Sequence, residues 1–393
     1  MLSQRVRSVS ASATVAITTR AKQLQADGID VISLAAGEPD FDTPQCIKDA
    51  AKAALDAGDT KYNPRCGKAL LEAIAAKLRD ENGLSVTTDQ IVVTFGGKHA
   101  LYDAFQATID PGDRVLIPAP YWVSYPEMVR LAAGEPVVLP TTAAGGFKIT
   151  PKQVLDAAEG AKVLVINSPS NPSGVTYTRQ ELHAIGQAVL KTNLFVFSDE
   201  IYEKLTYGDI GPTCFASLDP ALAERTLTVN GLAKTFSMTG WRLGWAAGPA
   251  KLVAAIRKIM SHETTNPVSF AQAGALAAYT DPRAADAVVV MRNEFARRGK
   301  HMADRLNTID GVNCIQPTGA FYCFPDVSSH YGRTIGGAEV ADSLSFAAAA
   351  LDQANVALVP GVAFGDDNCV RLSFATSMEQ IDKGIDRLQK LLA

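Results

Sequence analysis

Two cationic residues eight positions apart offer the first chemistry: Lys234 and Arg242, in Val229-Asn-Gly-Leu-Ala-Lys-Thr-Phe-Ser-Met-Thr-Gly-Trp-Arg-Leu-Gly-Trp245. The neighbours of Lys234 are small, hydroxylic or apolar. A lysine in such a setting loses solvation of its charged form, so its pKa falls from the usual value of about 10.4. The neutral amine can then attack a carbonyl and hold it as a Schiff base. Arg242 keeps its charge and presents a planar fork suited to phosphate. One cofactor carries both an aldehyde and a phosphate, pyridoxal 5'-phosphate. A lone lysine in a turn is more often a surface residue, so the rest of the chain must decide between the two readings.

Such residues need a frame. From residue 68 the sequence alternates helical and strand patterns, with strands at 90–95, 114–117, 137–139, 163–166, 194–197 and 226–229. Val163-Leu-Val-Ile-Asn and Leu194-Phe-Val-Phe-Ser are near-continuous apolar runs, as in parallel strands covered on both faces. A βα alternation of this length predicts a doubly wound α/β domain, with ligands beyond the carboxyl ends of its strands. Chemistry-bearing residues stand at those ends. Gly96-Gly-Lys98 opens a helix, where the backbone can approach an anion; a tight turn is the alternative. Pro118-Ala-Pro-Tyr-Trp-Val-Ser-Tyr-Pro126 supplies aromatics, Trp122 among them, that can stack on a planar ring or pack in the core. Asn171 precedes a proline in Asn167-Ser-Pro-Ser-Asn-Pro-Ser-Gly174, where a cis bond would aim the side chain; a plain loop is the alternative.

Asp199 stands just after the apolar strand at 194–197, on the expected ligand face. A carboxylate there needs a cationic partner such as a protonated pyridine nitrogen, unless it is a helix N-cap. Tyr202, three residues on, is expected on the same helical face. Upstream, a helix is expected over 14–28 and a strand over 31–34. Thr43 and Pro44 then read as N-cap and first residue of a helix running to about 58. Residues 62–67 read as an irregular loop, or as a simple connection between helices. Past residue 248 helices are expected at 249–261, 267–280 and 282–307, the last bridging two domains. Segments 312–315, 319–324 and 369–374 read as strands of a smaller α+β domain, with helices 338–353 and 378–391 packed on it. Arg371 lies inside an apolar strand and needs an anion, either a structural carboxylate or a substrate carboxylate held bidentately.

The 393 residues allow two domains. Hydrophobic content of 47% with 20% charged residues fits a well-cored globular chain. A net charge of −4 without long single-sign runs argues against nucleic acid or an anionic membrane as partner. No apolar run reaches membrane-spanning length, and the first residues lack a secretory h-region. The six cysteines are scattered without a CxxC pair, so neither a zinc site nor a disulfide framework is expected, and the expected compartment is the cytoplasm.

Taken in order, these motifs resemble the fold type I, class I pyridoxal-phosphate aminotransferases over nearly the whole chain. The carriers are Ala36-Gly-Glu-Pro-Asp-Phe, Gly96-Gly-Lys, Pro120-Tyr-Trp, the 167–174 and 198–202 segments, Ala233-Lys-Thr-Phe-Ser-Met-Thr-Gly-Trp-Arg and Val370-Arg-Leu-Ser. The nearest resemblance is to the bacterial aspartate, or aspartate/prephenate, branch. It implies pyridoxal 5'-phosphate bound by Lys234 and transfer of an amino group between amino acids, foremost aspartate, and 2-oxo acids. It implies Asp199 against the pyridine nitrogen, Asn171 and Tyr202 on the ring hydroxyl, Trp122 on the ring face, and Gly97, Lys98 and Arg242 at the phosphate. Tyr62 would reach the phosphate of a second subunit, making a homodimer. Arg371 would clamp the substrate carboxylate, Gly37 would lie on a mobile N-terminal segment, and Lys98 with Thr14 or Ser12 would meet a distal carboxylate. The large domain would span 45–285, and the small one would join 1–44 to 286–393. Ser10 stands where the branch commonly has a lysine associated with prephenate. Gly231 replaces a phosphate-binding serine of another branch. Competing expectations are aromatic or neutral amino acids as substrates, or a β-lyase on the same scaffold. A regulator of transcription would need a DNA-binding domain for which the resemblance leaves no room.

Overall fold

The computed structural model describes residues 1–11, 13–63 and 67–393. Its core is a seven-stranded sheet: β1 (Ile91–Thr94), β2 (Arg114–Pro118), β3 (Glu135–Leu139), β4 (Ala161–Asn167), β5 (Phe195–Asp199), β6 (Thr226–Gly231) and β7 (Gly244–Ala247), in the order β1-β7-β6-β5-β4-β2-β3. The run from β6 to β3 is parallel. β7 is antiparallel to both of its neighbours. The two apolar runs behave as the sequence predicts: β4 is buried except at Lys162 and Asn167, and β5 except at Phe195. β7 was not anticipated. Gly-Trp-Ala-Ala has neither alternation nor β-branched residues, and only its place between two buried strands makes it one. The same place explains its glycine. Gly244 faces both Thr94 and Gly231, and a Cβ there would lie 2.4 Å from the Gly97 nitrogen.

Segments near both chain ends meet outside the large sheet. Ile32–Ser33 pairs in parallel with Val356–Ala357. β8 (Tyr322–Cys323), β9 (Val359–Pro360) and β10 (Val370–Ser373) form an antiparallel sheet in the order β9-β10-β8. Of the helices, α1 (Ala13–Ala26) and α2 (Gln45–Asp56) precede the large sheet, and α3 (Gly97–Thr108) follows β1. α4 (Pro282–Leu306) is the long helix expected after the large sheet, and α5 (Ser343–Ala354) and α6 (Met378–Leu392) pack beside the small one. No helix among the described residues is long and apolar enough to cross a membrane.

Four local expectations need correction. Thr43 does not cap α2; Pro44 takes that position. The Thr43 hydroxyl instead donates to the Ser237 carbonyl at 2.7 Å and accepts from the Trp241 indole at 3.2 Å, tying the start of α2 to the lysine-bearing loop. Residues 201–204 form a turn rather than a helix, because the Asp199 carboxylate accepts the Ile201 N–H two residues on. Segment 312–315 makes one isolated bridge, Asn313 to Asp326, instead of a strand. Helix 338–353 begins only at Ser343, capped by Asp342, because Arg333–Ile335 and Ala338–Val340 close a hairpin first.

Candidate active site

The carboxyl ends of β1, β4, β5 and β6 open into one cavity of about 330 Å³. Lys234, Asp199, Tyr202, Asn171 and Trp122 line it, with Gly97, Lys98 and Arg242 on one side and Arg371 on another. Gly37 and Thr14 reach it from the N-terminal segment. Tyr62 does not: it is 84% exposed and lies outside the cavity of its own chain. Ser12 and residues 64–66 lie outside the described residues.

Lys234 sits on the short helical turn that follows β6. Burial chiefly, then the charges of Arg371 and Arg242, depress its amine to about 8, against the opposing pull of Glu38 and Asp199. The ammonium donates to the Gly37 carbonyl. Asp199 is 5% exposed at the tip of β5. Burial raises its carboxyl to about 6, while the Tyr125 hydroxyl at 2.6 Å, the Ile201 N–H and Lys234 hold it down. A cation placed against Asp199 would therefore be favoured by a carboxylate short of charge partners. Asn167 braces this corner, donating to the Asp199 carbonyl at 3.0 Å and accepting the Asn171 N–H at 2.8 Å.

The side toward α3 is positive and closely packed. Gly96 has φ +89, and a Cβ there would meet the Arg242 guanidinium at 2.8 Å. Arg242 takes a left-handed backbone (φ 54) and donates to the Thr239 and Phe95 carbonyls. The Lys98 ammonium lies 4.7 Å from the Trp122 ring centroid. Partial desolvation against the cavity wall, then the Arg242 charge, lowers its pKa. Among the described residues neither Lys98 nor Arg242 pairs with a carboxylate. Two unneutralised cations beside the N-terminus of α3 make a site for a dianion such as phosphate.

Arg371 is the third such cation, 2% exposed on β10. One nitrogen donates to the Asn171 side-chain oxygen and another to the Ala35 carbonyl, each at 3.0 Å. Its Nε has no partner. No carboxylate pairs with it among the described residues, so the structural salt bridge is not what satisfies it. A buried guanidinium left this way calls for an anion from outside the chain. Two tyrosines belong to the site that the sequence did not single out. Tyr125 donates to Asp199, and Tyr322 meets Tyr202, hydroxyl to hydroxyl, at 3.0 Å under the Arg371 guanidinium. Tyr125 stood in the aromatic stretch after β2, three residues from Trp122. Tyr322 had no signal beyond being an aromatic in a strand. His99, Asp103 and Glu263 also gather outside the cavity, with ligand atoms within 4.8 Å of one another. The His99 Nδ1 accepts the Phe95 N–H, so its Nε2 carries the proton and donates to Glu263. A metal-ligating imidazole has the opposite arrangement.

A family model described as aminotransferase class I and II matches residues 29–388. An aspartate aminotransferase of Geobacillus stearothermophilus is 46% identical over 393 residues, covering 100% of this chain and 98% of its own. An aspartate/prephenate aminotransferase of Cereibacter sphaeroides is 46% identical over 397 residues, with 100% and 98% covered. The solved structure of Thermus thermophilus aspartate aminotransferase with maleate superposes with a TM-score of 0.93 at 42% identity, both chains covered in full.

Proposed function

We infer the substrate from a premise: the chain belongs to the class I and II aminotransferase family and is a pyridoxal-phosphate-dependent enzyme that moves an amino group from an amino acid to a 2-oxo acid. The amino acid we propose is aspartate, with 2-oxoglutarate as acceptor. The observation that supports it is a cavity with unneutralised cations on two sides: Arg371, buried with an unpartnered Nε, on one, and Lys98 over Trp122, next to Arg242, on the other. A dicarboxylate matches that pair. Maleate, the four-carbon dicarboxylate in the Thermus relative, has the same charge pattern. Lys98 is a point charge rather than a fork, so some aromatic and neutral amino acids should also be turned over. Ser10 is exposed, and its N–H donates to Glu127 at 3.1 Å. It offers no cation, and prephenate is not proposed as a substrate.

Bound pyridoxal 5'-phosphate supplies an electron sink that stabilises negative charge at the substrate Cα. In the proposed arrangement the Gly97 and Lys98 amides and Arg242 hold the phosphate, Trp122 covers the ring, and Asn171 and Tyr202 hydrogen-bond the ring hydroxyl. Asp199 faces the pyridine nitrogen, and Arg371 takes the substrate α-carboxylate. Lys234, its amine lowered to about 8, would be the nucleophile that holds the aldehyde and the base that carries the Cα proton. Gly37 and Thr14 close the cavity from the N-terminal segment. We further propose a homodimer in the cytoplasm, with Tyr62 of a second copy completing the phosphate site, and a division into a large domain (45–285) and a small one (1–44 with 286–393). Incubation with aspartate and 2-oxoglutarate tests the function. Glutamate and oxaloacetate should appear in equal amounts. No glutamate from that incubation, with ammonia and pyruvate formed instead from an amino acid carrying a β leaving group such as cysteine, would make the protein a lyase and overturn the reading.

A further inference from the structure

We propose that the Tyr322 hydroxyl is a positioning group that fixes the direction in which Tyr202 gives its phenolic proton, and so sets the strength of the hydrogen bond Tyr202 makes to the cofactor. It rests on the reading above that Tyr202 donates to the cofactor's ring hydroxyl. Tyr322 is 1% exposed on β8, in the small antiparallel sheet, and its hydroxyl crosses to Tyr202 on the turn after β5. Each phenol has one proton. If Tyr202 donates to Tyr322, its proton is turned away from the cavity. If Tyr322 donates, the Tyr202 proton is free for a partner in the cavity, and an oxygen that already accepts becomes a better donor.

The surroundings select the second arrangement. Among the described residues, Tyr202 is the hydrogen-bond partner of the Tyr322 hydroxyl. Burial raises the pKa of both phenols, that of Tyr202 well above the usual value; the Arg371 guanidinium, 4.5 Å from the Tyr322 ring centroid, opposes the rise there and leaves Tyr322 the stronger donor of the two. The other charged or titratable groups near the pair are Lys234, whose ammonium is 5.9 Å from the Tyr202 ring centroid, and Asp199. Neither hydrogen-bonds the Tyr322 hydroxyl. The backbone of Tyr322 is closely packed, since a Cβ on Gly174 would lie 2.2 Å from its carbonyl. With Tyr202 as its hydrogen-bond partner among the described residues, the Tyr322 hydroxyl donates to Tyr202.

Tyr322→Phe removes the hydroxyl and keeps the ring under Arg371. The test is a pH titration of the visible absorbance band of the holoenzyme. A hydrogen bond from Tyr202 draws electron density from the ring oxygen and weakens its hold on a neighbouring proton, so a weaker Tyr202 should raise the apparent pKa. The expected shift for Tyr322→Phe is upward by about half a unit, the scale of one neutral hydrogen bond. Tyr202→Phe should shift it further, and the double variant should match Tyr202→Phe alone, because Tyr322 acts only through Tyr202. Maleate affinity of Tyr322→Phe should stay within about twofold, the ring being retained. An unshifted titration in Tyr322→Phe beside a shifted one in Tyr202→Phe overturns the proposal, as does a double variant whose shift is the sum of the two. Lost maleate affinity with an unshifted titration would mean that Tyr322 serves Arg371 instead, and also overturns it. If Tyr202→Phe itself leaves the titration unmoved, the failure lies in the underlying assignment of Tyr202.

Discussion

Lys98→Ala separates the two duties its position suggests. The backbone N–H at the start of α3 survives the change; the ammonium over Trp122 does not. If the ammonium meets the distal carboxylate of aspartate, its loss costs aspartate and spares alanine, which has no second carboxylate. Two unit charges about 4 Å apart attract by about 1 kcal/mol in water and about 4 kcal/mol at the effective dielectric of a protein surface. Lys98 is exposed and at the cavity edge, so the lower half of that range applies. We expect the ratio of kcat/KM for aspartate to that for alanine to fall roughly tenfold, about 1.4 kcal/mol. The assay is steady-state transamination of each amino acid with saturating 2-oxoglutarate, beside a measurement of cofactor affinity. An unchanged ratio would refute the contact. An equal fall for both amino acids, with weakened cofactor binding, would assign the ammonium to the phosphate.

Asp199→Asn should slow turnover by several powers of ten, and single-turnover spectra should place the loss in proton removal from Cα. In the cofactor-free protein the sign reverses. The folded Asp199 titrates near 6, above its unfolded value of about 4, so its contribution is present below about pH 4 and is lost as pH rises through 6. Asp199→Asn apoprotein should therefore melt no lower than the parent above pH 6. Lys77→Met leaves Glu203, 5% exposed and bonded otherwise to Asn82 at 2.8 Å, as an uncompensated buried charge. It should lower stability by about 3–5 kcal/mol in denaturant melts. Mixing Tyr62→Phe chains with Lys234→Ala chains should restore activity above either parent, since one site of each hybrid dimer escapes both changes. A fully active monomer at low concentration would exclude the shared site.

The sheet was legible because its central strands are apolar, and part of the candidate site because Lys98, Trp122, Asn171, Asp199 and Lys234 stand at or just beyond the carboxyl ends of its strands. Asp199, Asn171 and Lys98 could be placed from their strands alone. What escaped depends on partners distant in sequence. β7 is a strand only because β1 and β6 flank it. Thr43 has the right residue type for a cap, but a contact with Ser237 nearly two hundred residues away claims its hydroxyl. Tyr202 was assigned to a helix because no local signal shows that the preceding carboxylate folds back on Ile201. Tyr322 matters because β8 lies beside the strand of Arg371, and that pairing joins segments some fifty residues apart.

The central claim is that Lys234 is the amine that bonds the cofactor. Its test is borohydride reduction of the holoenzyme followed by peptide mapping. The pyridoxyl label should be found on the peptide containing Lys234, and Lys234→Ala should bind cofactor without becoming labelled or turning over. A label on Lys98 or on any other lysine would contradict the account.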